Sequence, residues 1–303
     1  MSIVIAANGL TKQYKTTAVV DSLNFTLAKG EICALIGKNG AGKSTFFKML
    51  SGQVQPTRGE VQLFGHSELG PVRSRISFLI EEPAFFSDFT AQQNLEYFRI
   101  QRGVIEKSKI IEVLEQVGLA DQGGKKVREY SMGMKQRLGL ALCLLSNPDC
   151  IVLDEPTNGL DPEGINEIRQ LLLKLNQEKQ VTLLIASHIL NELELIATRF
   201  VFIHEGKIIE TISQTELHEK CQKQLKLKVD RSDRAAQLLE QNFSAIQYRC
   251  LPNGWIHIQN YLDKSAQINQ ELVSNGVYVT ELRVEDLKLE DYFLQMIGER
   301  QYD

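Results

Sequence analysis

The eight residues Gly37-Lys38-Asn39-Gly40-Ala41-Gly42-Lys43-Ser44 constrain this chain more than any other stretch. They follow the apolar run EICALI and lead into TFFKMLSG, so a strand must turn through a glycine-rich loop into a helix. Backbone N–H groups at such a turn converge on an anion, and the helix N-terminus adds partial positive charge. Lys43 is expected to offer its ammonium to the outer phosphates of a nucleotide, and Ser44 its hydroxyl to Mg²⁺. Gly37, Asn39, Gly40, Ala41, Gly42, Lys43, Ser44 and Thr45 are therefore the expected nucleotide cradle. A glycine turn without a ligand is the bland alternative, and the strand before it and helix after it argue against that.

Two further stretches gain meaning beside this loop. Cys150-Ile151-Val152-Leu153-Asp154-Glu155 is an apolar strand ending in two acids. Alone it is a common structural pattern; with a phosphate loop, Asp154 is suited to a Mg²⁺ ion and Glu155 to polarising an attacking water. Tyr130-Ser131-Met132-Gly133-Met134-Lys135-Gln136-Arg137 precedes the helical LGLALCLL, so Ser131 is an expected N-cap with Gly133 just inside. That makes a second helix terminus able to receive an anion.

With 303 residues the chain is long enough for one large domain and an appendage, or two domains. Its 34 basic and 38 acidic residues leave a net charge of -4, so nothing in the balance favours nucleic acid as a partner. Cys33, Cys143, Cys150, Cys221 and Cys250 are scattered without metal-ligand spacing, which suggests reduced, mostly buried thiols. No apolar run approaches the ~18 residues of a membrane span, and the first residues lack a secretory pattern, so a protein neither secreted nor membrane-spanning is expected.

Up to about residue 214, apolar runs without strict alternation (ICALIG, RISFLI, CIVLDE, VTLLIAS, FVFIHEG) point to a buried α/β sheet. Between about 85 and 147 the pattern turns helical, as in SKIIEVLEQVGL. Residues 215–303 read as strand, helix, two strands around Pro252-Asn253-Gly254, helix, strand and final helix. This βαββαβ order suggests a small ferredoxin-like α+β domain.

The motif set over roughly residues 3–214 resembles the nucleotide-binding subunit of an ATP-binding cassette (ABC) transporter: a phosphate-loop NTPase domain with a helical subdomain. Ser131-Met132-Gly133-Met134-Lys135-Gln136 looks like the family's signature, Asn158-Gly159-Leu160-Asp161 like its D-loop, His188 like its switch histidine and Tyr14 like its adenine-stacking aromatic. Tyr130, Met132 and Met134 depart from the LSGGQ pattern, whereas Ser131 and Gly133 are kept. The resemblance implies ATP and Mg²⁺ as cofactors. It implies hydrolysis at Glu155 assisted by His188, Lys43 and Asp161, in a head-to-tail dimer of identical or paralogous cassettes. It further implies an integral membrane permease as partner and a place on the inner face of the cell membrane.

The stretch ISFLIEEPAFF puts Glu81 where the family usually carries a glutamine that reaches the metal, making Glu81 a candidate Mg²⁺ ligand; Glu82 is expected to be a solvated loop residue. LIExP followed by an aromatic, with SxGMKQRL, resembles the subgroup associated with bacitracin and lantibiotic export or self-protection. The implied function is thus an ATPase driving export of peptide antibiotics. A general drug, lipid or ion exporter is the alternative, and a soluble cassette in translation or DNA repair a more distant one. A GTPase is disfavoured because no NKxD motif is present. Phe85, Phe86, Phe89, Tyr97 and Phe98 are divided between subdomain packing and a groove for a helix of the permease.

Overall fold

The computed structural model describes residues 2–81, 85–122, 124–188, 190–221, 223–251, 253–286 and 289–297. The chain divides into two compact units, Met1–Gln214 and Thr215–Asp303. Along the first run β1 (Ile3–Tyr14), β2 (Thr17–Ala28), β3 (Ile32–Ile36), α1 (Lys43–Ser51), β4 (Arg58–Leu63), α2 (Gly70–Arg73) and β5 (Ile76–Leu79). There follow α3 (Ala91–Gln101), α4 (Lys109–Gln116), α5 (Met132–Leu144), β6 (Cys150–Asp154), α6 (Pro162–Lys179), β7 (Thr182–Ser187), α7 (Leu190–Glu194), β8 (Arg199–His204) and β9 (Lys207–Ser213).

Six strands form one sheet in the order β5-β6-β7-β3-β8-β9, parallel except for the β8–β9 pair. β3 and β7 are buried along their whole length, which is why their sequences read as unbroken apolar runs. Three further strands make an antiparallel sheet, β2-β1-β4, which the apolar runs alone do not announce. Its β2 instead alternates, with Leu23, Phe25 and Leu27 inward and Ser22, Asn24 and Thr26 outward. Residues of both sheets and of α1 share one core, in which Phe25 and Phe46 meet edge to face at 5.3 Å.

Neighbouring parallel strands decide where the chemistry gathers. In register, Leu35 of β3 and Asp154 of β6 both lie opposite Ala186 of β7. The loops leaving β3, β6 and β7 therefore emerge at one sheet edge, the usual ligand position in such folds. The helical segment consists of α3, α4 and α5, and α3 opens on a capping box between Thr90 and Gln93.

The second unit holds α8 (Gln214–Lys220), β10 (Lys223–Val229), α9 (Ser232–Asn242), β11 (Tyr248–Cys250), β12 (Trp255–Ile258), α10 (Ser265–Ser274), β13 (Val279–Asp286) and α11 (Leu289–Met296). Its antiparallel sheet has the order β11-β12-β10-β13, the ferredoxin-like arrangement for this connectivity. Leu225, Leu227, Ile256 and Ile258 pack with Leu238 and Leu239 of α9 and with Ile268 and Leu272 of α10. Pro252 and Glu82 lie outside the described residues.

Cys33, Cys143 and Cys150 are buried, Cys221 is partly buried and Cys250 is exposed. Burial raises the Cys33 and Cys143 thiols to about 12, so they are inert. Among the described residues no helix is long and apolar enough to cross a membrane.

Phe46 is fully buried at the junction of both sheets and α1. Phe46→Ala is expected to destabilise the first unit by about 3–5 kcal/mol, read as a shift of its denaturant-unfolding midpoint.

Candidate functional site

The turn after β3 needs its glycines for identifiable steric reasons. A Cβ on Gly37 would sit 2.5 Å from the Ile203 carbonyl, and one on Gly42 2.6 Å from the Val19 carbonyl, at a φ of 105°. The loop thus threads between β2 and β8 before α1 begins at Lys43, and it lines a cleft of about 170 Å³ with Asn39, Ala41, Ser44 and Thr45 on its wall.

Lys43 is buried, and its ammonium donates to the Gly37 carbonyl at 2.6 Å and the Lys38 carbonyl at 3.4 Å. It also lies 3.4 Å from Glu155 Oε1. Glu155 adopts a left-handed φ of 49°, its N–H donating to the Ala186 carbonyl at 2.9 Å. The same carboxylate accepts from the His188 backbone N–H through Oε2, which stands 2.7 Å from His188 Nδ1. Lysine, glutamate and histidine are therefore linked in one line across the mouths of β3, β6 and β7.

Asp154 completes this group. Its Oδ1 is buried without a hydrogen-bond partner, and the Ser44 hydroxyl lies beside the carboxylate. Burial, reinforced by the charges of Glu155 and Glu81, raises its pKa above the usual carboxylate range, against the pull of Ser44 and Lys43. A buried, unsatisfied carboxylate oxygen beside a hydroxyl is a hard-oxygen donor set suited to Mg²⁺, which takes few protein ligands and completes its shell with phosphates and water. Among the described residues no group of three or more His, Cys, Asp or Glu clusters for a metal.

Glu81 comes close enough for its charge to act on Asp154, yet its Oε1 accepts a hydrogen bond from Lys48 at 2.6 Å. That interaction raises the Lys48 ammonium above its ordinary range. Glu81 also sits at a left-handed φ of 63°. Lys48 was not among the residues expected from sequence, although it follows Ser44 by four positions and so shares its helix face. Tyr14, at the end of β1, is 48% exposed, with the Lys12 ammonium 5.1 Å from its ring centre. One ring face is held by a cation and the ring is accessible, as a stacking residue requires.

The remaining expected residues assemble elsewhere. Ser131 caps α5 by accepting from the Met134 N–H at 3.3 Å, and Asp161 caps α6 by accepting from the Gly164 N–H at 3.0 Å. Both helix N-termini open on a cleft of about 480 Å³ bordered by Ser131, Gly133, Leu160 and Asp161. This second anion-ready cleft shares no lining residue with the phosphate-loop cleft. Lys43, Ser44, Asp154, Glu155 and His188 thus converge, whereas Ser131, Gly133 and Asp161 form a separate half.

Comparison with known proteins agrees with this geometry. The ABC transporter family profile matches residues 20–158. The bacitracin transport ATP-binding protein BcrA of Bacillus licheniformis is 39% identical over 301 residues, covering 98% of both chains. The lantibiotic transport ATP-binding protein SrtF of Streptococcus pyogenes is 40% identical over 206 residues, 68% of this chain and 89% of its own. Among solved structures, the dimeric post-hydrolysis state of the ATP-binding cassette MJ0796 bound to ADP and Pi matches with a TM-score of 0.64 and 26% identity, over 69% of this chain and 98% of that one.

The raised pKa of Asp154 has a definite sign in stability. An acid whose folded pKa lies above its unfolded value of 3.8 costs nothing below that value, and its penalty grows as pH rises through the folded pKa. Asp154→Asn is therefore expected to raise the melting temperature of the nucleotide-free protein near pH 7 by about 2–4 °C. The gain should shrink toward pH 4, as thermal scans across pH would show.

Proposed function

From the premise that this chain belongs to the ABC transporter family, as an ATP-binding subunit, we propose that it hydrolyses ATP to drive export of peptide antibiotics of the bacitracin and lantibiotic kind. The observation that carries the ATPase reading is the Glu155 carboxylate held between Lys43 and His188 at the mouth of the phosphate loop. The cargo class is supported by similarity to bacitracin transport proteins along the whole chain, second unit included.

In this reading the glycine-rich turn supplies N–H groups to the phosphates, and Lys43 exchanges its carbonyl partners for phosphate oxygens, a charge-assisted bond in a dry cleft. Ser44 and Asp154 hold Mg²⁺, which neutralises phosphate charge when bound, and Tyr14 stacks on the adenine. Glu155 orients and deprotonates the attacking water, with His188 keeping Oε2 in place. Glu81, released from Lys48, is the proposed additional contact to the metal shell.

Subunits of this family work as dimers with membrane permease components. Because Ser131, Gly133 and Asp161 line their own cleft, we assign them to the nucleotide held by a second cassette, in a head-to-tail dimer. The permease partner is assigned to a groove of about 740 Å³ between α3 and α4, bordered by Phe89, Tyr97, Ile100, Ile110 and Ile111. Ile100 and Ile111 are more than half exposed there, a cost that docking of an apolar helix removes. Such docking puts the chain on the inner face of the cell membrane.

Glu155→Gln is expected to bind ATP and accumulate as a dimer in gel filtration while turnover falls by about 10²–10⁴-fold, the usual contribution of a general base. Turnover at the native rate would remove Glu155 from that role. Ile111→Glu should leave the ATPase rate of the isolated subunit unchanged yet abolish co-purification with a co-expressed permease of this family.

A further inference from the structure

The second unit has one long sheet edge, protected by charges rather than by shortness or proline. β13 ends its sheet and is paired only with β10 among the described residues, and it spans eight residues, against three in β11 at the opposite edge. Leu282 and Val284, whose opposite residues on β10 are the buried Leu227 and Leu225, are 38% and 44% exposed. Natural edges are usually blunted by proline, by shortness, by bulges or by charged side chains, which oppose pairing with any strand that does not match their charges. β13 has no proline, and its outward-facing charges alternate in sign, Glu281 then Arg283.

We propose that β13 pairs antiparallel with β13 of a second copy of this chain, on a two-fold axis through Leu282. About that centre the segment Thr280-Glu281-Leu282-Arg283-Val284 is complementary to itself. Glu281 of each copy lies opposite Arg283 of the other, Leu282 meets Leu282, and Thr280 meets Val284, all pairs that favour a sheet. Moving the axis to Arg283 sets Arg283 against itself and Glu281 against Glu285; moving it to Val284 sets Leu282 against Asp286. Only the Leu282 axis joins opposite charges on one face and apolar side chains on the other.

In the single chain both charged side chains turn back over their own sheet, so pairing requires them to swing toward the free edge. Arg283 lies 3.1 Å from Glu285 and 4.9 Å from the Trp255 ring, and Glu281 lies 3.8 Å from Lys228. Their hydrogen-bonding capacity is shared with the second copy rather than created by it. The Thr280 hydroxyl donates to the Lys228 carbonyl at 3.1 Å where the β10 register shifts, which keeps that end of β13 on its own sheet.

Five paired residues bury far less than the ~1,200 Å² of a standard interface. The strand contact therefore acts between copies already gathered by nucleotide, where the effective concentration is high. In that respect alone it rests on the dimeric ATPase reading, and it selects a second copy over a paralogue.

Disulfide trapping in the full chain tests it. In a Glu155→Gln, Cys221→Ser, Cys250→Ser background with Mg-ATP, Leu282→Cys places two thiols on the axis, at the ~4.5–5.5 Å Cα spacing that a disulfide accepts. Val284→Cys leaves them four residues apart along the strand, about 13 Å. Mild oxidation is expected to cross-link L282C at least about fivefold more than V284C. R283E should abolish the L282C cross-link, and the E281R/R283E swap should restore it. Equal or absent cross-linking, in samples that gel filtration shows to be ATP dimers, would overturn the strand pairing and leave the ATPase reading intact. Failure to dimerise with ATP would count against the ATPase reading instead, and L282C cross-linking at raised protein concentration without nucleotide then decides the strand by itself.

Discussion

A buried ammonium cannot stand alone, and the cleft is organised around that constraint. Lys43 is satisfied by the Gly37 and Lys38 carbonyls and by the nearby Glu155, and Glu155 is in turn fixed by His188. The two carbonyls are weaker partners for a lysine than a phosphate oxygen, so the arrangement is complete without nucleotide and yet replaceable by it. Asp154 shows the opposite condition: its buried, unpaired oxygen is a standing cost that only a cation relieves. Such a cleft is under tension until nucleotide and metal arrive together.

The same fold keeps the second half of the chemistry apart. Two helix N-termini, capped by Ser131 and Asp161, face a cleft that shares no lining residue with the phosphate loop. Helix N-termini that open on a cleft can receive an anion there. In the proposed head-to-tail pair each phosphate loop would meet the other chain's termini, and closure would then depend on nucleotide. The proposed coupling to a permease would use the α3–α4 groove, in the same helical segment as α5.

Much of this is readable from residue order because local rules decide it. The glycine spacing, the strand before and helix after it, the two acids ending β6 and the N-cap at Ser131 are each set by neighbours within a turn or two. The ferredoxin-like order of the second unit is legible for the same reason, since periodicity marks each element in turn. What escapes is set by pairs distant in sequence. The β2-β1-β4 sheet depends on non-local pairing, although the alternation from Ser22 to Leu27 signals part of it. Lys48 and Glu81 are 33 residues apart, and only the approach of α1 to the end of β5 makes them an ion pair. The need for Gly37 likewise arises from Ile203, more than 160 positions away.

The central claim is that one ATP site is built from two chains. Mixing complementary variants tests it most directly: Lys43→Ala lacks the phosphate loop's cation, and Gly133→Asp places a like charge where the signature meets phosphate. Each alone should be inactive. In a mixed dimer one site combines an intact phosphate loop with an intact signature helix, so the ATPase activity of the mixture should rise well above that of either parent. A mixture as inactive as its parents would contradict the two-chain site.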